Sequence, residues 1–507
     1  MTTTATLKPL PLADTRPLAD GVPPPHLAAQ VVKTERLASL DIFRGITIAT
    51  MLLVNNPGTW GQQYEPLKHA HWHGWTLTDL VFPFFLFIVG VAIPFSLAKR
   101  SASLATSRAQ VLVGIWMRAL SLVLLGLLLA AVPLGGAELP AGYETLRGLR
   151  YAAHAFVWVS FVALLFPWKS RWMTTAVPLV VALLFVLLYW AILFANRNGL
   201  AAGLPADFKF GNGILTPWRM RFPGVLQRIG ICYGVAASIA LFAGWRTILG
   251  SAVVLMAVYS ALMLHAPYHD HQVGALDEDD NLARRIDEDV FGFSKSGGRN
   301  HNYGYPDPEG LLSTLPAIGS VLLGILVGLR LRADQPPAER GVAVLAWGVM
   351  VTCAGVLLDW WLMPINKQIW TPSFTVFTAG LGMLGLGAMF YVADVRGRRA
   401  WALPFTIYGM NAIVAFVLAG LIGRLLGLIK FMHPRIPDKE TSPLAFLKSE
   451  ISDGMHALAS TLATHVGEAA AIIDTKQNVS LAYSIAFVLI ILIPLSVLYV
   501  CRVFIKV

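Results

Sequence analysis

Charge is what this sequence has least of. Only 13% of its 507 residues are Asp, Glu, Lys or Arg, about half of the roughly 25% usual in soluble domains. Meanwhile 56% are hydrophobic and the mean hydropathy is +0.62. That balance excludes a soluble globular enzyme and implies an integral membrane protein. Cysteine is scarce as well. Cys232, Cys353 and Cys501 all lie in or beside apolar segments with no C-x-x-C spacing, so neither a disulfide framework nor a zinc knuckle is implied. The net charge of +10 is scattered in short clusters between apolar runs, which argues against nucleic acid as a partner. No convincing repeat relates the two halves, whereas many secondary transporters show one. Residues 1–36 are rich in Pro and Thr and lack the apolar stretch of a signal peptide; they read as a disordered cytoplasmic tail, followed by a single transmembrane domain over 37–507.

What the chain does have is a succession of apolar runs, each about the 20 residues needed to cross a bilayer core. Spanning helices are expected near 37–54, 77–98, 111–134, 151–167, 173–195, 224–243, 246–264, 310–331, 341–362, 373–394, 402–427 and 480–502. The fold class is therefore all-α, a polytopic bundle of twelve spans, or eleven if 151–195 dips into the bilayer without fully crossing. With both termini cytoplasmic, the inside loops carry Lys99, Arg100 and Arg108; Lys169 and Arg171; Arg246; Arg330, Arg332 and Arg340; Arg396, Arg398 and Arg399; and Arg502 and Lys506. Every inside loop is then basic, as the positive-inside rule requires. The long loops 55–76, 196–223, 265–309 and 429–479 fall outside, and in a bacterium the membrane would be the inner one.

Polar residues interrupt this apolar chain at a few places. "SLDIFRG" sets Asp41 and Arg44 three residues apart on one helical face, either as a surface ion pair or as part of a site. "VNNPG" places Asn55 where the first helix leaves the bilayer. In "KHAHWHGWTLTDL", His69, His71 and His73 alternate along an extended segment with Trp72, and Asp79 lies just inside the second helix. Three readings stand for this cluster: a metal site, since imidazole is a common ligand; an interfacial His/Trp belt; or one catalytic histidine, which Asp79 could orient.

"PGVLQRIGICY" puts Gln227 and Arg228 about one turn into the sixth helix, where an arginine needs a carboxylate, an anionic ligand or water. Glu309, at the start of the eighth helix, is a natural partner for it. "NKQIWTPSF" supplies Asn366, Lys367, Trp370 and Ser373, and "YGMNAI" puts Asn411 inside an apolar helix, where an amide seeks a partner across helices. Together these insertions suggest one outward-opening cavity reaching into the bundle.

Taken in order, "SLDIFRG", "VNNPG", "LKHAHWHGWTLTDLVFPFFLFIVG", "PGVLQRIGICY", "DPEGLLSTLPAIGSVLLGILVG", "NKQIWTPSF" and "YGMNAI" resemble the heparan-alpha-glucosaminide N-acetyltransferase family and its bacterial NagX-like relatives over about 39–415. The resemblance implies transfer of an acetyl group from cytoplasmic acetyl-CoA to an amino sugar across the membrane. It puts the family's catalytic histidine on His69 and its neighbouring asparagine on Asn55; His71 and His73 are not carried over. Arg228, Gln227, Lys367, Ser373 and Asn411 are then expected to shape the acetyl-CoA cavity. Asp41, Arg44, Trp72, Asp79, Glu309, Asn366 and Trp370 are expected as acceptor-side or structural polar groups, and no metal is expected.

The partners implied are the lipid bilayer, a small-molecule or glycan acceptor and a second copy of the chain in a homodimer. The family's luminal segment before its first core helix is not expected here, and a cell-envelope amino sugar is expected in place of heparan sulfate. Two routes stay open for His69, as general base or as a transient carrier of the acetyl group. A sugar permease without covalent chemistry remains the alternative.

Overall fold

The computed structural model describes residues 37–101, 107–131, 144–166, 168, 170–197, 223–269, 272–291, 308–434, 436, 440–466 and 473–505. The expected N-terminal tail, 1–36, and most of the 196–223 loop lie outside the described residues. In chain order the helices are α1 (Ala38–Asn55), α2 (Leu77–Ser101), α3 (Arg108–Ala131), α4 (Glu144–Leu165), α5 (Arg171–Arg197), α6 (Val225–Phe242), α7 (Trp245–His265) and α8 (Leu282–Phe291). They continue as α9 (Thr314–Leu331), α10 (Pro337–Trp361), α11 (Pro372–Met389), α12 (Leu403–Met410), α13 (Ala412–Leu428), α14 (Pro443–Val466) and α15 (Lys476–Val500). The antiparallel strands β1 (Phe431–Met432) and β2 (Glu440–Thr441) form a small hairpin.

The fold is an all-α polytopic bundle. Among the described residues nine helices are long and apolar enough to cross a membrane: α1, α2, α3, α6, α7, α9, α10, α11 and α15. The pair α12–α13 makes a tenth if counted as one bent span. In α4 and α5 the apolar stretches, Tyr151–Leu165 and Trp172–Leu188, are shorter. These two are the hairpin that the sequence leaves open between dipping and crossing.

Lipid tails are as apolar as leucine, so helices in a bilayer associate through close packing. The helices that frame the polar residues show this directly. A Cβ on Gly90 of α2 would lie 2.1 Å from the Val321 carbonyl oxygen of α9, and one on Gly324 would lie 2.2 Å from that of Phe87. The two backbones touch along this seam, which fixes the start of α2 beside the segment that leads into α9.

The apolar run predicts one helix over 402–427. Instead the chain bends by 72° at Asn411. Gly409 packs directly on the Asp41 carbonyl and Gly45 on that of Phe405, so α12 is laid across α1 and cannot continue straight into α13. Asn411 is therefore not inside an uninterrupted helix, and among the described residues its amide bonds to no other helix. Its Nδ2 donates to the Val503 carbonyl at 3.1 Å and its Oδ1 accepts from the Ile505 amide at 3.0 Å, tying the chain beyond α15 to the break. Two helices also occupy stretches read from sequence only as loops: α8 within 265–309 and α14 within 429–479.

The loops sort to two ends of the bundle. At one end Gly58 bonds to Ser480, Gly74 to Ile365 and the Trp72 indole to Leu276. At the other, Asp394 accepts from the first amides of α1, Ala38 and Ser39, at 3.1 and 3.0 Å. There Arg332 lies over Phe95, Arg340 over Phe390 and Arg399 beside Asp394. These basic loops thus sit at the end opposite the histidines.

Candidate active site

Asp79 organises the site. It lies in the first turn of α2, where the exposed amides and the helix dipole favour a carboxylate. Its Oδ2 accepts from the backbone amides of Thr76 (3.1 Å) and Ala70 (3.0 Å), and the Thr76 hydroxyl lies 3.1 Å away. The Thr76 hydroxyl also reaches the Lys68 carbonyl at 2.5 Å. A carboxylate reaching back from the third helical residue to the amide of the residue before the helix is one half of a capping box. It folds residues 68–76 over the end of the helix and sets His69 above Asp79.

The other carboxylate oxygen does different work. Asp79 Oδ1 is 2.6 Å from His69 Nδ1 and 3.2 Å from Lys367 Nζ, and Lys367 Nζ is 3.1 Å from the same imidazole nitrogen. The short contact to a carboxylate assigns the proton to Nδ1, which leaves Nε2 with its lone pair. The Asp79 side chain is 2% exposed and that of His69 45%. A buried anion thus holds an open imidazole by one nitrogen and leaves the other to face a reactant.

Lys367 is presented by a tight turn between α10 and α11. Asn366 N donates to Thr371 Oγ1 (3.1 Å), Thr371 N to the Asn366 carbonyl (3.0 Å) and Ile369 N to Asn366 Oδ1 (3.1 Å). Inside this turn Trp370 takes a positive φ of 52° and is fully buried, with edge contacts to Phe82 and Phe374. The turn is joined to the histidine loop at two places. Gly74 N donates to the Ile365 carbonyl at 2.7 Å, and Asn366 Nδ2 lies 3.3 Å from His73 Nδ1. Lys367 reaches the dyad because its neighbours are held this way. Burial lowers its pKa from the ordinary lysine value, while Asp79 and Glu309 pull the other way. Burial also lowers that of His73, against Asp277 and Asp359.

The three histidines therefore part company. His69 joins Asp79 and Lys367, His73 joins Asn366, and His71 is exposed. No group of three His, Cys, Asp or Glu side chains able to hold a metal ion occurs among the described residues.

Beneath the turn, Arg228 is 2% exposed, and its guanidinium lies 5.3 Å from the centre of the Trp370 ring. Its Nη2 donates to the Gly310 carbonyl (2.7 Å) and Ser313 Oγ (2.5 Å), which fastens it to the segment that carries Glu309. Gln227 packs toward Gly126 and Gly224. Ser373 is buried with its hydroxyl 2.9 Å from Thr371 Oγ1. Trp72 anchors the histidine loop to Leu276 at 2.9 Å. Asn55 is exposed at the end of α1, and no hydrogen bond joins it to the dyad among the described residues.

The expectation of one cavity gathering every polar insertion is corrected by this layout. Arg44 bonds to Asp41 (3.3 Å) and to the Gly409 carbonyl (3.1 Å). With Asn411 it forms a second polar group at the opposite end of the bundle, where α12 crosses α1. Lys367, expected on the cofactor, stands on the imidazole–carboxylate dyad. Thr76 was not singled out from sequence, although the T-x-x-D spacing before an apolar run is a helix-start signal that could have found it.

Comparison with known proteins agrees with the motifs. A family model described as a domain of unknown function, DUF5009, matches residues 36–132. The heparan-alpha-glucosaminide N-acetyltransferase of Mus musculus is 24% identical over 437 residues, covering 75% of this chain and 53% of that protein. The Homo sapiens protein of the same name is 24% identical over 429 residues, covering 75% and 52%. The chain spans about half the length of the curated relatives it matches. The similarity thus extends over three quarters of the chain, and this integral membrane protein is similar to the heparan-alpha-glucosaminide N-acetyltransferases.

Proposed function

We propose that the protein is a membrane acyltransferase that passes an acetyl group from acetyl-CoA, supplied at the basic-loop end, to an amino sugar at the His69 end. The observation that carries the reading is the dyad, with its buried Asp79 holding Nδ1 and its Nε2 left open. An amino sugar arrives as an ammonium ion and must lose a proton before its nitrogen can attack. His69 Nε2 accepts that proton while Asp79 stabilises the imidazolium. The amine nitrogen then bonds to the thioester carbonyl carbon, the carbon–sulfur bond breaks, His69 returns its proton to the departing sulfur, and the nitrogen sheds its second proton to solvent to leave the neutral amide. A thioester needs little further activation, so general base catalysis, about 10² to 10⁴ in rate, is what the site has to supply.

Arg228 and the segment from Glu309 to Ser313 lie deeper in the bundle and would line the donor's approach. Asn55, at the exposed end of α1 on the histidine side of the bundle, would meet the acceptor. The acceptor proposed is an envelope amino sugar, and the orientation proposed puts His69 on the extracytoplasmic side, because the basic loops gather at the other end.

Purified protein in detergent, given labelled acetyl-CoA and a panel of amino sugars, tests the reading. Acetylated product that is lost in His69→Ala supports it. A protein that binds sugars but forms no product would be a permease.

A further inference from the structure

We infer that Lys367 is a positioning residue that keeps the His69 imidazole neutral, by setting an ammonium charge against Asp79 on the far side of the dyad from the reactant. The inference rests on the reading of His69 as the group that takes the acceptor's proton. A base must be unprotonated to work, and a buried aspartate on Nδ1 alone favours the imidazolium. Asp79 therefore both orients the ring and threatens to lock it in the inactive form.

Lys367 is placed to oppose this. Its Nζ shares Oδ1 with the imidazole, 3.2 Å from that oxygen and 3.1 Å from Nδ1, with its side chain 14% exposed. With Nδ1 protonated, both nitrogens donate to one oxygen, and the lysine can give the ring no hydrogen bond of its own. What it supplies is charge. Aspartate and ammonium sum to zero beside a neutral ring, and protonating the ring then adds a net charge to a half-buried cluster.

Other charged groups surround the pair. Burial works against the charge on Lys367, while Asp79 and Glu309, the latter from the segment before α9, favour it. In the histidine loop, Lys68 is taken up by Glu65 at 2.6 Å and His71 is exposed. Asp277 and Asp359 act on His73, which is held by Asn366.

The test reads the imidazole directly in the full-length protein in detergent. Diethyl pyrocarbonate modifies neutral imidazole, and mass spectrometry locates the product at His69 across about pH 5 to 9, the range in which histidine titrates. In Lys367→Met, and in the polar and equally neutral Lys367→Gln should the first fold poorly, the midpoint should move up by about one pH unit. The acid limb of the kcat/KM profile should follow it, and Lys367→Arg should restore both. An unmoved midpoint in a folded neutral variant overturns the inference, as does a shift in Lys367→Arg equal to that of the neutral variants. Carbethoxylation does not require turnover. A protein that transfers no acetyl group would still show the shift, so failure of the functional reading is told apart from failure of the lysine's role.

Discussion

Replacing Asp79 with asparagine tests the dyad at its foundation. The side chains match in shape, so the question is which end of the amide turns which way. One carboxylate oxygen meets three donors, the amides of Ala70 and Thr76 and the Thr76 hydroxyl. The other meets His69 and Lys367. The amide oxygen stays with the backbone donors, whose loss would unfold the cap, so the NH2 group faces His69. The ring must then offer Nδ1 as acceptor and carry its proton on Nε2, where a base needs a lone pair.

In a serine–histidine–aspartate triad the same exchange costs about 10⁴ in kcat through the wrong tautomer. Here the ring is 45% exposed and can partly rotate away, so a loss of about 10² to 10³ is expected. Initial rates of amino-sugar acetylation should show the loss in kcat, with KM for acetyl-CoA nearly unchanged and a normal size-exclusion profile. Asp79→Ala is less informative, because it strands Lys367 and several donors at a cost of about 3 kcal/mol or more. If Asp79→Asn keeps kcat within about threefold while His69→Ala is inactive, the carboxylate does not set the tautomer and the argument fails.

Three further outcomes follow from the geometry. His69→Ala should abolish most transfer, while His71→Ala and His73→Ala lose far less; equal damage in all three, with inhibition by a chelator, would restore the metal reading. Arg228→Ala removes two charge-assisted hydrogen bonds, each worth about 1.5 to 3 kcal/mol, and should lower the yield of folded protein. Normal folding with weakened acetyl-CoA binding would instead make Arg228 a direct ligand contact. In a cysteine-free background, Trp60→Cys should react with an impermeant thiol reagent in intact cells and Arg398→Cys should not. Both native side chains are exposed, and the reverse pattern would invert the proposed direction of transfer.

Much of this protein was legible in its sequence because the bilayer imposes a one-dimensional rule. A segment must be apolar for about 20 residues to cross, so the twelve predicted spans all fall on helices. Of these, nine among the described residues, or ten with the bent α12–α13 pair, are long and apolar enough to cross. The resemblance carried by the motif order put the family's histidine on His69. Asp79 could be read as an orienting group because a carboxylate in the first turn of an apolar helix demands a partner. What stayed hidden depends on contacts between distant residues. The run from 402 to 427 reads as one apolar helix despite Asn411 and Arg424, and a lone amide does not announce a bend; the bend follows from two glycines that let α12 lie across α1. Lys367 is about 300 positions from His69, and only the clasp of Gly74 on Ile365 and of His73 on Asn366 brings its ammonium to the ring. Local composition decides which segments enter the membrane. Which charge stands beside which proton is decided by long-range packing, and the proposed chemistry depends on that.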